Sequence, residues 1–200
     1  MDDTYLTLQS PSTGLYKEKG SKFLAFAFPV ESEDEIKQRL SEIKKKYFDA
    51  RHHCYAYALG YKREIFRMND DGEPSSTGGK PIYGQILSNN LTNVLIIVVR
   101  YFGGVKLGVS GLIQAYKLAT VDCLAAASVI EKIIEDTFVI IFDYEAMNLV
   151  MKILKDYNIT SKHHNFDTTC RLEFSIRKTL SAAIVDKFRT IPNLILTTSK

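Results

Sequence analysis

The stretch NVLIIVVRYFGGVKLGVSGLIQAY, residues 93–116, carries the clearest structural pattern in this chain. Residues 94–99 are all apolar and mostly branched, which is typical of a strand that is buried on both faces of a sheet. Four glycines follow within nine residues, and then an apolar run that predicts a long helix over residues 110–128. Glycine costs conformational entropy on folding, so the loop between strand and helix must have a reason for its bare backbone.

The glycine loop has two interpretations. A loop that joins a buried strand to a helix can bind an anion through the unpaired N–H groups of the helix N-terminus, and we place Ser110 at the N-cap. Gly103 and Gly108 have the GxxxxG spacing of a P-loop, but Val109 replaces the lysine that would meet the terminal phosphates. The alternative is a steric turn for close helix–strand packing. The candidate phosphate-binding residues are Arg100, Gly103, Gly104, Lys106, Gly108, Ser110 and Gly111.

A basic stretch with interleaved aromatic residues, KKKYFDARHH, spans residues 44–53. This combination suits RNA, because cations meet its phosphates and aromatic rings stack on its bases. The lysines also end a predicted helix over residues 32–48, where the helix dipole alone favours cations. Both interpretations stay open. The candidate nucleic-acid-binding residues are Lys44, Lys45, Lys46, Arg51, His52 and His53.

The segment NDDGEPSSTGGKP, residues 69–81, holds almost every turn-forming residue type and is predicted to be a loop. Its carboxylates Asp70, Asp71 and Glu73 form a candidate loop site for a hard cation. The DxDxDG calcium spacing is missing, however, and a solvated turn with local Asx hydrogen bonds is the favoured interpretation. His52, His53 and Cys54 could contribute zinc ligands, but no second pair of ligands follows at the spacing of a zinc site. We predict no catalytic residue, no metal and no cofactor.

The composition restricts the class of protein. A chain of 200 residues suits one large domain or two compact ones, and a net charge of +3 is too small to indicate a nucleic-acid partner by itself. Three cysteines without a CxxC pair argue against a disulfide framework. The N-terminus lacks the apolar core of a signal peptide, and the longest apolar run is too short to cross a bilayer. We expect a cytoplasmic protein without a membrane partner.

The pattern of elements starts afresh near residue 135, which predicts two domains, residues 1–132 and 134–200. In the first domain we predict a strand (21–30), a helix (32–48), a hairpin (50–61 and 63–68) and a short helix (82–90) around the stretch already described. The second domain has the βαββαβ order of a ferredoxin-like unit, with elements at 136–144, 145–158, 159–166, 168–176, 179–191 and 193–199. Its predicted core is Val139, Ile141, Val150, Leu154, Leu172 and Ile184.

Four motifs together carry a resemblance to a known family. They are KGSKFLA (19–25), ARHHCYAY (50–57), NDDGEPSSTGGKPI (69–82) and RYFGGVKLGVSGLIQAY (100–116). In this order they resemble the IMPACT family, in its bacterial two-domain YigZ-type form, and the resemblance covers nearly the whole chain. Two positions depart from the family pattern: Ser110 replaces a usual glycine, and Gln114 stands where a basic residue is common.

The resemblance implies an α+β fold. Its N-terminal domain would have the split β-α-β fold of a small-subunit ribosomal protein and of domain IV of elongation factor G. Its ferredoxin-like C-terminal domain would be similar to domain V of that factor. Eukaryotic relatives restrain the kinase branch of amino-acid starvation signalling by competing for its ribosome-associated scaffold, whereas bacterial relatives have no agreed biochemical activity.

These observations lead to one favoured function and two alternatives. We predict a non-enzymatic protein that regulates translation and binds RNA or the ribosome. The first alternative is a phosphate-handling enzyme, because small-molecule kinases use a glycine-rich loop on a similar fold. The second is an adaptor that binds a protein partner through an aromatic surface at Tyr101 and Phe102.

Overall fold

The computed structural model describes residues 3–166 and 169–198, which form mixed α and β structure. Its contacts divide the chain into two units. One holds Tyr5–Lys132, and the other holds Ile133 onward together with the described N-terminal residues Asp3 and Thr4. In the second unit, the Asp3 carboxylate forms an ion pair with Arg177 Nε at 2.8 Å and accepts a hydrogen bond from Thr179 Oγ1 at 2.5 Å.

The first part of the chain contains seven strands and three helices among the described residues. They are β1 (Thr4–Leu8), β2 (Ser12–Glu18), β3 (Ser21–Pro29), α1 (Glu33–Lys46), β4 (His52–Leu59), β5 (Ile65–Asn69), α2 (Gly79–Ser88), β6 (Val94–Tyr101), α3 (Gly108–Ala125) and β7 (Val129–Ile133). The sequence did not predict β1, β2 or β7. Strand β1 pairs with β7, and β2 is an edge strand of the main sheet.

The main sheet has the antiparallel order β2-β3-β6-β4-β5, with β6 at its centre. Residues 94–100 of β6 are buried, which confirms the predicted strand with two covered faces. Helices α2 and α3 pack on one face against alternate residues such as Ile96 and Val98, while α1 covers the face of Leu95 and Ile97. Two-sided cover explains why β6 is apolar at every position up to Arg100.

Helix boundaries follow local signals at α1 but not at α3. Ser32 caps α1, since its hydroxyl accepts a hydrogen bond from the Glu35 N–H at 3.2 Å, as the capping-box spacing predicts. The predicted N-cap at Ser110 is wrong. Helix α3 begins at Gly108, whose φ of 74° lets the chain turn two residues earlier, and Ser110 lies inside the first turn.

The second unit has the predicted βαββαβ order. Its elements are β8 (Glu135–Asp143), a 3-10 turn (Tyr144–Ala146), α4 (Met147–Asp156), β9 (Ser161–Phe166), β10 (Thr169–Arg177), α5 (Lys178–Arg189) and β11 (Ile195–Thr198). The sheet order is β11-β8-β10-β9, with antiparallel neighbours throughout. The turn predicted near residues 165–167 falls partly outside the described residues.

The predicted core of the second unit is wrong at Ile141, and Val139 is buried but lies outside the main cluster. Val150, Leu154, Leu172 and Ile184 lie in the buried cluster between sheet and helices. Val139 and Ile141 do not, because β8 turns the alternate residues Phe138, Ile140 and Phe142 toward the helices. An apolar run of five residues satisfies either phase of the strand, so only the packing of the sheet decides between them.

Candidate nucleic-acid interface

A cleft of about 480 Å³ opens on the first unit beside the end of β6. Four segments form its walls: the start of β4, the loop of residues 70–78 between β5 and α2 (the acidic loop), the end of β6, and the glycine loop with the first turn of α3. The lining residues are Arg51, His52, Glu73, Pro74, Arg100, Phe102, Lys106, Leu107, Gly108, Val109 and Leu112. The fold therefore brings parts of all three predicted sites together.

The base of the cleft is a buried ion pair. Arg100 Nη1 donates to Glu73 Oε1 at 2.6 Å, and both side chains are buried, with exposed fractions of 7% and 4%. The Tyr116 hydroxyl donates to the same carboxylate oxygen at 2.9 Å. The Arg100 guanidinium also lies over the rings of Phe23 and Phe102, 5.4 and 5.6 Å from their centroids. Within the described part of the chain, Arg100 Nε has no hydrogen-bond partner.

Burial keeps the Cys54 thiol and the Tyr116 hydroxyl protonated at neutral pH. It raises the pKa of the Cys54 thiol to about 12, and the Asp70, Asp71 and Glu73 carboxylates act in the same direction. Burial also raises the pKa of Tyr116, reinforced by Cys54 and Glu73. Since the thiolate is the nucleophilic form of cysteine, Cys54 is not equipped for nucleophilic chemistry.

The acidic loop is organised by its own carboxylates. Asp70 accepts hydrogen bonds from the N–H groups of Ser76, Gly78 and Gly79 at 2.8, 2.9 and 2.8 Å. Asp71 accepts from the His53 N–H at 2.7 Å. These bonds support the interpretation as a hydrogen-bonded turn. No group of three or more His, Cys, Asp or Glu side chains among the described residues is placed to hold a metal ion.

The predicted basic stretch divides between different environments. Arg51 and His52 line the cleft. Lys44 pairs with Asp71 at 3.3 Å, and Lys46 lies over the Tyr47 ring, while Lys45 is exposed on α1. His53 is buried, with its Nε2 3.1 Å from the Tyr47 carbonyl oxygen. Only the end of the stretch therefore contributes to the cleft.

The glycine loop is exposed, and its glycines serve different purposes. A Cβ at Gly103 would overlap the backbone of Gly20 and Ser21, so this position is required for close packing. The Gly103 N–H donates to Ser21 Oγ at 3.1 Å and is not available to an anion. Gly104 has a φ of 88° with open space around it, as Gly108 has at its φ of 74°. Of the predicted loop residues, Arg100, Lys106 and Gly108 line the cleft, whereas Gly103, Gly104, Ser110 and Gly111 do not.

Two aromatic side chains of the site were missed or underestimated in the sequence. The sequence suggests Phe102 only as part of a protein-binding surface, yet it lines the cleft and is 49% exposed. Tyr116 lies in α3, two helical turns from the loop, and no local pattern shows that it meets Glu73. Tyr101 is not part of the cleft lining, and its hydroxyl donates to Asp49 at 2.7 Å.

These features define a two-unit α+β protein with a basic and aromatic cleft on its first unit. Residues 19–124 match the family model of the Impact N-terminal domain. The chain therefore belongs to the IMPACT family, as the sequence motifs predict. Among the described residues, no helix combines the length and the apolar character that are needed to span a membrane.

Two bacterial proteins of the family match more than half of this chain. IMPACT family member YvyE of Bacillus subtilis (strain 168) is 35% identical over 129 residues, which are 64% of this chain and 59% of that protein. IMPACT family member YigZ of Escherichia coli (strain K12) is 32% identical over 116 residues, or 57% of each. The match thus spans less than two thirds of either relative, and both place this chain with the bacterial members.

The fold has a close counterpart among solved structures. A crystal structure described as that of a hypothetical protein aligns with a TM-score of 0.75 over 100% of this chain and 99% of that chain. Its sequence identity is 22%, so the likeness concerns the fold alone.

Proposed function

We propose that this chain is a non-enzymatic, cytoplasmic protein that acts in the regulation of translation and binds RNA or the ribosome through the cleft. The observation that carries the proposal is the composition of the cleft. Arg51, Arg100 and Lys106 line it against the single carboxylate of Glu73, next to an exposed aromatic ring. An excess of cations beside an aromatic surface is what RNA phosphates and unstacked bases require.

The family and the fold support the same direction. The IMPACT resemblance implies a ribosome-associated partner for the eukaryotic relatives, and this chain carries the Impact N-terminal domain over residues 19–124. We further propose that the first unit corresponds to the split β-α-β fold of elongation factor G domain IV. The second unit would correspond to the ferredoxin-like domain V of that factor, because its sheet has the βαββαβ order.

A salt series tests RNA binding at the cleft. We would measure the affinity of the full chain for ribosomes and for a structured RNA between low and physiological salt, in the wild type and in an Arg51→Gln/Lys106→Gln variant. Binding through phosphates should weaken steeply with salt, and each lost contact should lower the log–log slope by about 0.7 to 0.9. Both side chains are exposed, so the melting temperature should hardly change.

A matched variant controls for the loss of charge. Lys37 and Arg39 lie on α1, which packs on the other face of the sheet, and form ion pairs with Asp34 and Glu42. Lys37 is exposed and Arg39 is half-buried. Lys37→Gln/Arg39→Gln removes the same charge and should leave the RNA affinity and its salt slope unchanged. A flat salt response of the wild type, or equal effects of the two double variants, would contradict the proposal.

One observation favours the enzyme alternative. Glu73 and Lys106 line the same cleft, and a phosphate-handling enzyme needs a carboxylate and a cation that converge on the glycine loop. Oxygen Oε1 of Glu73, however, already accepts from Arg100 and Tyr116. We expect isothermal titration with ATP and Mg²⁺ to show no saturable binding. Saturable, magnesium-dependent binding that Lys106→Gln abolishes would favour the enzyme instead.

A further inference from the structure

We propose that the cleft holds one unpaired nucleotide of an RNA chain, with its base stacked on Phe102 and its phosphate at the first turn of α3. This inference rests on the proposed function, because it presupposes that the cleft binds RNA. It adds that the recognised RNA is unpaired, and it states which lining residues contact the base and which contact the phosphate.

Phe102 is held in place before any ligand arrives. One side of its ring faces the Arg100 guanidinium, 5.6 Å from the centroid, and Arg100 is itself fixed by its ion pair with Glu73. The ring nevertheless remains 49% exposed and lines the cleft. A base that stacks on the open part of the ring therefore orders no flexible side chain, which favours binding through pre-organisation.

The first turn of α3 offers a place for the phosphate. Gly108 and Val109 line the cleft at the N-terminus of this 18-residue helix, where backbone N–H groups have no partner within the helix and the helix dipole favours an anion. The lining of the same cleft also contains an unsatisfied hydrogen-bond donor. Arg100 Nε lies in a side chain that is only 7% exposed, and within the described residues it has no hydrogen-bond partner. A buried donor without a partner is costly unless a ligand supplies the acceptor.

The remaining lining suits a single base. The volume of about 480 Å³ lies within the range of small-ligand sites. Leu107, Leu112 and Pro74 add apolar surface, while Arg51 and Lys106 add charge. A base within a duplex is stacked on both faces and cannot reach Phe102, whereas a base in a loop or a single strand can be splayed out and stacked on an aromatic ring. The cleft is thus suited to an unpaired nucleotide.

The experiment compares one RNA in two forms. The probe is a twelve-nucleotide RNA with a 2-aminopurine at its centre, either single-stranded or annealed to its complement, titrated with the full chain at fixed salt. We expect the single strand to bind about tenfold more tightly, and the 2-aminopurine fluorescence to be quenched by stacking. Phe102→Leu should weaken single-strand binding about tenfold and abolish the quenching. Phe102→Tyr keeps the aromatic ring and should therefore retain the affinity and the quenching of the wild type.

Phe66 provides a matched control. It is 53% exposed and its ring stacks on Tyr83, with the centroids 5.3 Å apart, but it lies on β5 and does not line the cleft. Phe66→Leu should leave the affinity and the quenching as in the wild type. Circular dichroism melts of every variant establish that the chain is folded at the temperature of the titration.

The outcomes separate this inference from the proposed function. If single strand and duplex bind equally, without quenching and without an effect of Phe102→Leu, but with a steep salt dependence, the inference is overturned and RNA binding at the cleft stands. If neither form binds at any salt concentration, both proposals fail and a protein partner takes the place of RNA.

Discussion

Arg100 and Glu73 are the residues on which the cleft depends. Their ion pair is buried, and Tyr116 adds a hydrogen bond to the same carboxylate oxygen. Exposed ion pairs contribute little to stability, but removing one partner of a buried pair leaves a charge without compensation. The pair therefore ties the acidic loop to β6 and keeps Phe102 supported at the same time.

Glu73→Ala should strongly destabilise the first unit. We expect the free energy of unfolding to fall by about 3 to 5 kcal/mol, because Arg100 would be left charged and buried. Urea denaturation followed by circular dichroism measures the change. Glu42→Ala is the control, since its ion pair with Arg39 is open to solvent, with side chains that are 42% and 47% exposed, and should cost less than about 1 kcal/mol. If both variants lost a similar free energy of unfolding, burial would not increase the contribution of the Arg100–Glu73 pair to stability.

At the level of secondary-structure elements, two positions of the glycine loop require glycine for different reasons. Gly103 is needed because β3 and the turn before it, at Gly20, approach too closely for a side chain. Gly104 is needed only for its φ of 88°, with no atom within 4 Å of the position of a Cβ. Gly103 is thus required for the packing of two segments, and Gly104 is required for the local backbone conformation.

Alanine at the two positions should separate these demands. Gly103→Ala forces the two segments apart and should lower the free energy of unfolding by about 3 kcal/mol, at the upper end of the range for overpacking. Gly104→Ala should cost only about 1 kcal/mol, the penalty of a left-handed backbone for a residue with a Cβ. Urea denaturation of both variants, side by side, measures the difference. Equal losses would contradict the close approach of the loop to Gly20.

At the level of the whole molecule, the described N-terminal residues Asp3 and Thr4 belong with the second unit. The hydrogen bond from Thr179 lowers the pKa of Asp3 from its usual value of 3.8, and Arg177 acts in the same direction. A lowered pKa in the folded state means that the ionised carboxylate stabilises the fold above about pH 4. This contribution is lost as the pH falls through the folded-state pKa.

Asp3→Asn should therefore lower the melting temperature at pH 7 but not at strongly acidic pH. Thermal melts of wild type and variant between pH 7 and pH 2.5 measure the difference, which should shrink below about pH 4 as the wild-type carboxyl is protonated. Asp34→Asn is the control. Lys37 also lowers the pKa of Asp34, but both side chains are exposed and the pair is weak, so its effect should change much less with pH. A difference between wild type and Asp3→Asn that does not depend on pH would contradict the charged contact.

We also propose that residues 1–132 and 134–200 are separate domains. A fragment that begins at Ile134 should unfold cooperatively around the cluster of Val150, Leu154, Leu172 and Ile184. The structure adds that this fragment lacks Asp3, so we expect it to melt at a lower temperature than the second unit does within the full chain. A fragment with no cooperative transition would count against the boundary.

The sequence by itself determined the features that depend on neighbouring residues. The apolar run of β6, the cap at Ser32 and the βαββαβ order all follow from local composition and periodicity. The turn-forming composition of residues 69–81 likewise predicted a loop, which the structure confines to residues 70–78 because β5 ends at Asn69 and α2 begins at Gly79. The motifs were also sufficient to identify the family, since residues 19–124 carry them in a fixed order.

The tertiary structure alone decided what depends on residues that are far apart in the chain. It set the phase of β8, placing Ile140 rather than Ile141 in the core, because both phases of an apolar strand look alike until helices cover one face. It began α3 at Gly108 instead of Ser110. It also joined Arg100 to Glu73, 27 positions apart, because β5 returns the acidic loop to the end of β6 through its pairing with β4. Local sequence does not predict such contacts, because the interactions that stabilise them form only when the sheet and its helices pack together.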